Sequence, residues 1–91
     1  MKSIKSSIYV FRREYPINGI NYAECFQNYD DANKELLATK RRLLKTGYRL
    51  TRDEKKGSIF HSIDFSKMIT EGENAGQYAY LYLTVASVPV Y

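Results

Sequence analysis

Residues 28–48 read NYDDANKELLATKRRLLKTGY. Leu36, Leu37, Leu43 and Leu44, together with Ala32, recur at helical spacing and mark one buried side. The pattern predicts a helix over 30–46, with Asn28 or Asp30 as its cap. Asp30 and Asp31 place negative charge at the positive end of the helix dipole, and Lys45 places positive charge at the other end. Gly47 suits the left-handed residue that closes a helix, with Tyr48 folding back towards Leu43. No other stretch of the chain has this period, so one helix is set among strands.

Upstream, residues 3–17 carry Ile, Val, Tyr and Phe in alternation, and Asn18-Gly19 follows as a strong hairpin signal, since both positions of a tight two-residue turn need positive φ. A second strand is expected over 20–26. A two-residue loop would set Ile17 against Ile20, Tyr15 against Tyr22, Arg13 against Glu24 and Phe11 against Phe26, all compatible pairs. Pro16 has no N–H to give and so needs an edge or a position that forms no ladder bond. Downstream, residues 48–52 and 58–65 read as strands joined by a turn over 53–57. A polar, mobile loop is expected over 66–76, and a last strand over 77–88, stopped near Pro89. The order β-β-α-β-β-β predicts an α+β fold, a mainly antiparallel sheet of four or five strands with one helix packed on one face.

Ninety-one residues, 44% hydrophobic and 26% charged, have the composition of one ordinary globular domain. No apolar run approaches the roughly 18 residues of a membrane span. The start, Met1 to Ser7, is basic but lacks the apolar core of a secretory signal, which points to the cytoplasm. Cys25 is the only cysteine, so no internal disulfide forms.

Alternation assigns faces. In the last strand Ala79, Leu81, Leu83 and Val85 share one side, and Tyr78, Tyr80 and Tyr82 the other. In the first strand Ile4, Ile8 and Val10 oppose Tyr9, Phe11, Arg13 and Tyr15. The hairpin adds Tyr22, Glu24 and Phe26 to the aromatic side, and Ala23 and Cys25 to the aliphatic side. Grouping like with like puts Tyr9, Phe11, Tyr15, Tyr22, Tyr78, Tyr80 and Tyr82 on one face. A helix of 17 residues is about 25 Å long and covers one face of a small sheet. The aliphatic face is expected to take it, leaving the tyrosine face open as a contact surface for a partner protein. The alternatives are a segment folded over that face, or a homodimer sharing it.

The excess positive charge is concentrated in residues 34–56, which hold nine Lys and Arg against three Asp and Glu. Lys34, Arg41 and Lys45 form a stripe on the outer side of the helix. Arg42 extends it, as do Arg49, Arg52, Lys55 and Lys56 from the following hairpin. Such a stripe suits phosphates or an acidic partner, the alternative being a solvated helix face. Lys40 falls between the two leucine pairs, where its stem lies along the sheet and its ammonium escapes to an edge. Platforms that stack single-stranded nucleic acid have cations around the aromatic rings, so a stripe across the molecule from the tyrosines counts against that mode. Phosphate contact by the helix and hairpin remains the nucleic-acid alternative.

No catalytic residue, metal site or cofactor is expected. His61 shares its parity with Ile59, Ile63 and Phe65 and reads as a packed residue, and Cys25 as a small core residue. One His and one Cys do not make a usual zinc site. Asp30-Asp31 serves the helix start and Asp53-Glu54 a polar turn. Residues 72–76 contain glycines but lack the Lys, Ser or Thr of a phosphate loop. The sequence therefore points to a non-enzymatic protein-interaction module that modulates a larger macromolecular machine. A phage or mobile-element inhibitor of host defence has that profile. The alternative is a nucleic-acid-binding protein using residues 34–56.

Overall fold

The computed structural model describes residues 6–90, so the expected strand start at Ser3, and Ile4 with it, lies outside the described residues. The elements are β1 (Ser6–Tyr15), β2 (Ile20–Phe26), α1 (Tyr29–Lys45), β3 (Arg49–Lys56), β4 (Phe60–Met68) and β5 (Tyr78–Val90). All five strands join one antiparallel sheet in the order β2-β1-β5-β4-β3, with α1 against β1, β5 and β2. The fold is α+β, with the helix and the chain order β-β-α-β-β-β expected from the sequence; the order of the strands within the sheet comes from the structure.

The helix starts one residue earlier than its period suggested. Asn28 is the cap, and its side-chain oxygen accepts the Asp31 N–H at 2.9 Å. Its end follows the glycine rule: Gly47 has φ 96°, and Tyr48 N–H reaches the Leu43 carbonyl at 3.1 Å. Gly47→Ala is expected to lower stability by about 1 kcal/mol, because a side chain at this φ is strained; chemical denaturation of the two proteins measures it. The inward side is narrower than the leucines implied. Ala32 and Leu36 are fully covered, Leu37 and Leu43 are half-buried, and Leu44 is 43% exposed. Tyr29 and Thr39 complete the buried side instead, and Thr39 returns its hydroxyl to the Glu35 carbonyl at 2.9 Å.

The first hairpin differs from expectation by two residues. Its loop is Pro16–Gly19, and Tyr15 faces Ile20, Arg13 faces Tyr22, Phe11 faces Glu24 and Tyr9 faces Phe26. Only Gly19 has positive φ, 70°, so the two-residue turn is not formed. Pro16 explains this: its fixed φ suits the second position of a wider turn, and Gly19 N–H then reaches back to the Tyr15 carbonyl at 3.0 Å. A shift of two keeps every side chain on its face.

The second hairpin turns at residues 57–59, not 53–57, because Asp53 and Glu54 find strand-side partners, His61 with Lys40 for the former and Arg52 with Lys56 for the latter. β4 continues to Met68, so the expected 66–76 loop begins only at Ile69. β5 runs on through Pro89, which pairs with Ser7. Ser87, two residues before it, donates its N–H to Ile59 on the β4 side; Pro89 therefore turns its nitrogen to that side, where β4 has already ended.

The core lies between helix and sheet. Phe11, Ile63, Phe65, Leu81, Leu83 and Val85 form it with Tyr29, Ala32 and Leu36. Among the described residues no helix is long and apolar enough to cross a membrane.

Candidate functional site

The pairing of β1 with β5 sets Phe11 beside Val85, Arg13 beside Leu83 and Glu14 beside Tyr82. Opposed residues share a face. The aromatic row of β1 therefore lies on the helix side with the aliphatic row of β5, and the expected seven-residue aromatic face is divided. Tyr9 is half-buried and stands edge-on to Tyr29 at 5.9 Å, and Phe11 is in the core. Tyr15 and Tyr22 lie on the same side nearer the hairpin tip, edge-on to each other at 6.0 Å. The Arg13 guanidinium sits 4.7 Å from the Tyr22 ring centre. With Asn18 and Ile20 these side chains line a shallow hollow of about 330 Å³. Grouping by chemistry failed because β1 and β5 are distant in sequence, and alternation within each strand does not fix which row of one joins which row of the other.

Tyr78, Tyr80 and Tyr82 do lie on the face without a helix. Tyr78 and Tyr80 are each 48% exposed, and Tyr82 is half-buried. Met68 stands opposite Tyr78 and is also exposed, a residue that the sequence reading did not single out. Further along the face lie Phe60, Ala86, Val88, Ile8 and Val10. Among the described residues only Val10 and Ser66 are buried on this side.

The basic stripe is divided as well. Lys34, Arg41, Arg42 and Lys45 are exposed on the helix. Arg42 donates to the Thr39 hydroxyl and lies 4.0 Å from Glu35. Lys55 points to the helix side, its ammonium 5.8 Å from the Tyr29 ring centre. Arg49, Arg52 and Lys56 pair with Ser66, Asp64 and Phe60, which places them on the open face, the tyrosine side. A bulge between Leu50 and Arg52 brings both Arg49 and Arg52 to that side. Arg12 of β1 joins them from across the sheet. Of the hairpin cations expected to extend the helix stripe, Arg49, Arg52 and Lys56 thus share the tyrosines' face, together with Glu14, Asp64 and Glu54, and Lys55 does not. The hydrogen bond and charge of Arg52, then the charge of Lys56, hold the Glu54 carboxyl below its usual range.

On the helix side a polar cluster closes the edge of the core. His61 is 5% exposed; its Nδ1 lies 2.7 Å from Asn33 Oδ1 and its Nε2 2.7 Å from Asp53 Oδ1. Lys40 brings Nζ to 3.2 Å from Asp53 Oδ2. Partial burial alone would raise the Asp53 carboxyl, but the hydrogen bonds and charges of His61 and Lys40 outweigh it and hold the group below its ordinary value. The cluster ties α1 to β3 and β4. Sequence reading missed it because Asp53 was placed in a turn; with Asp53 in a strand, its side falls with that of His61.

Cys25 is exposed on β2, on the face opposite His61 and at the other side of the sheet, so the two form no nucleophilic pair. This also corrects its reading as a core residue: on β2 the aliphatic row faces away from the helix. Comparison with protein-family models, with curated proteins and with solved structures finds no match for this chain.

Proposed function

We propose that this chain is a non-enzymatic interaction module that docks a partner protein on its open sheet face and so modulates a larger macromolecular machine. The observation that carries this reading is the run of Tyr78, Tyr80, Tyr82 and Met68 on strands β5 and β4, half-exposed on a face that no helix covers. Tyrosine and methionine are favoured at the centre of protein interfaces, where rings pack and hydroxyls tolerate water. The charged rim is mixed, four cations with three carboxylates, which suits a protein surface of matching pattern.

A second reading rests on Arg12, Arg49, Arg52 and Lys56 sharing the tyrosines' face, the arrangement that stacking recognition of single-stranded nucleic acid uses. Glu14, Asp64 and Glu54 stand between these cations and would repel a phosphate backbone, so protein docking is preferred.

The test compares the wild-type chain, Tyr78→Ala with Tyr80→Ala, and Arg41→Glu with Lys45→Glu, each immobilised and offered the same extract. Truncating both tyrosines is expected to abolish retention of the partner while circular dichroism and melting temperature stay unchanged, and the helix variant is expected to retain it. Retention unchanged by the tyrosine variant removes the proposal. Titration with single- and double-stranded DNA at two salt concentrations separates the second reading, since phosphate-led binding collapses as salt rises.

A further inference from the structure

The sheet has two outer strands, and their free edges are of different kinds. β3 is bulged between Leu50 and Arg52, and six of its eight residues are charged. Charges and bulges are how a sheet edge is kept from pairing with another chain. β2, by contrast, runs Ile20 to Phe26 in unbroken register, with no proline and a single charge, Glu24. The direction of its free groups follows from alternation. Ser87 N–H bonds the Ile59 carbonyl, so odd positions of β5 turn towards β4 and even positions towards β1. Carried through the register of β1, this points the backbone groups of Asn21, Ala23 and Cys25 outward from β2.

We propose that β2 pairs with β2 of a second copy of this chain, antiparallel about Ala23. In that register Ala23 faces itself, Asn21 faces the second copy's Cys25, Tyr22 faces its Glu24, and Ile20 faces its Phe26. The three outward residues of each copy then exchange six backbone hydrogen bonds. Exposed Ile20 gains an aromatic neighbour in place of water.

Charge selects this register and this occupant. Among the described residues neither Glu24 nor Arg13 has an ion-pair partner, and Arg13 is stacked on Tyr22. The second copy's Glu24, placed opposite Tyr22, comes beside that guanidinium, and the two-fold axis repeats the contact. Centring on Glu24 would oppose two carboxylates, and centring on Tyr22 would set Ile20 against Glu24. A one-residue slip would turn one copy's core face to solvent. Because opposed residues share a face, the axis stands perpendicular to the sheet, and the two open tyrosine faces lie side by side on one surface. The proposal does not depend on what those faces bind.

Sedimentation velocity of the whole chain between about 10 μM and 1 mM, a range suited to so small an interface, is expected to show a mass rising towards twice 10.6 kDa. Ala23→Pro removes an outward N–H that the single copy does not use, a position where a strand accepts proline. It is expected to remain monomeric throughout, with its melting temperature kept. Asn21→Cys supplies a second readout, placing a thiol opposite the second copy's Cys25 at a Cα separation of about 5.5 Å. Mild oxidation should give a covalent dimer that reductant reverses. The wild type should not crosslink, because its two Cys25 residues would lie about 14 Å apart. A wild-type chain that stays monomeric overturns the proposal, as does a dimer that persists in Ala23→Pro or an Asn21→Cys chain that does not crosslink. Should Ala23→Pro fail to fold, the crosslink decides.

Discussion

Leu36→Ala is expected to lower the stability of the fold by about 3 kcal/mol, within the range for truncating a fully buried leucine. Leu36 is the only large aliphatic residue of α1 that is completely covered, and it shares its cluster with Phe11, Phe65, Leu81 and Leu83. Ala32, the other fully covered aliphatic contact, has little to lose. A domain of this size has a margin of roughly 5–10 kcal/mol, so the loss takes a third or more of it. Leu44→Ala is the internal control. Leu44 belongs to the same helix and the same leucine pattern but is 43% exposed, and its truncation is expected to cost less than about 1 kcal/mol. Urea denaturation of the two variants reads the difference directly, and equal midpoints would show that the helix is seated on a different side.

Asp53→Ala is expected to have the second-largest effect, about 2 kcal/mol, because it leaves a ring nitrogen of buried His61 without its acceptor. Lys40 loses its partner in the same step. The effect depends on pH in a stated direction. His61 and Lys40 hold the folded-state carboxyl of Asp53 below its ordinary value of 3.8. The native chain therefore binds the proton less readily than the unfolded chain, and the stabilisation is complete above the ordinary carboxylate value and fades as pH falls through the lowered one. The stability gap between wild type and Asp53→Ala is expected to shrink as pH falls below about pH 4. A gap that kept its full size well below about pH 4 would contradict the geometry. Asp53→Asn, which keeps an acceptor without the charge, should recover part of the loss at neutral pH.

The elements were legible in the sequence because each signal was local. The leucine period, the Asn28 cap and the Gly47 stop define α1 within a residue, and alternation with turn residues defines five strands. The faces within each strand were equally legible: Leu81 and Leu83 do oppose Tyr80 and Tyr82. The relation between strands was not, since it rests on backbone pairing between residues such as Tyr9 and Ser87, which no local pattern encodes. Aromatic rows were matched with aromatic rows, whereas the core of this protein mixes Phe11 with Val85 and Phe65 with Leu81. The same gap hid the rim of the candidate surface. Whether Arg49 and Arg52 join the helix stripe or border the tyrosines is decided by one bulge, which the run of residues from Tyr48 to Lys56 does not announce.

The strand order also dictates how the chain assembles. β1 with β2, and β3 with β4, are neighbours along the chain and close as independent short-range units. β5 is the last element and enters the middle of the sheet, where it pairs with β1 across contacts as distant as Ser6 with Val90. The sheet therefore cannot be completed without a long loop closure, whose entropic cost is of the kind that slows folding. Until that strand pairs, Phe11, Ile63 and Phe65 lack their β5 neighbours, so the strand that completes the sheet is also the one that completes the core.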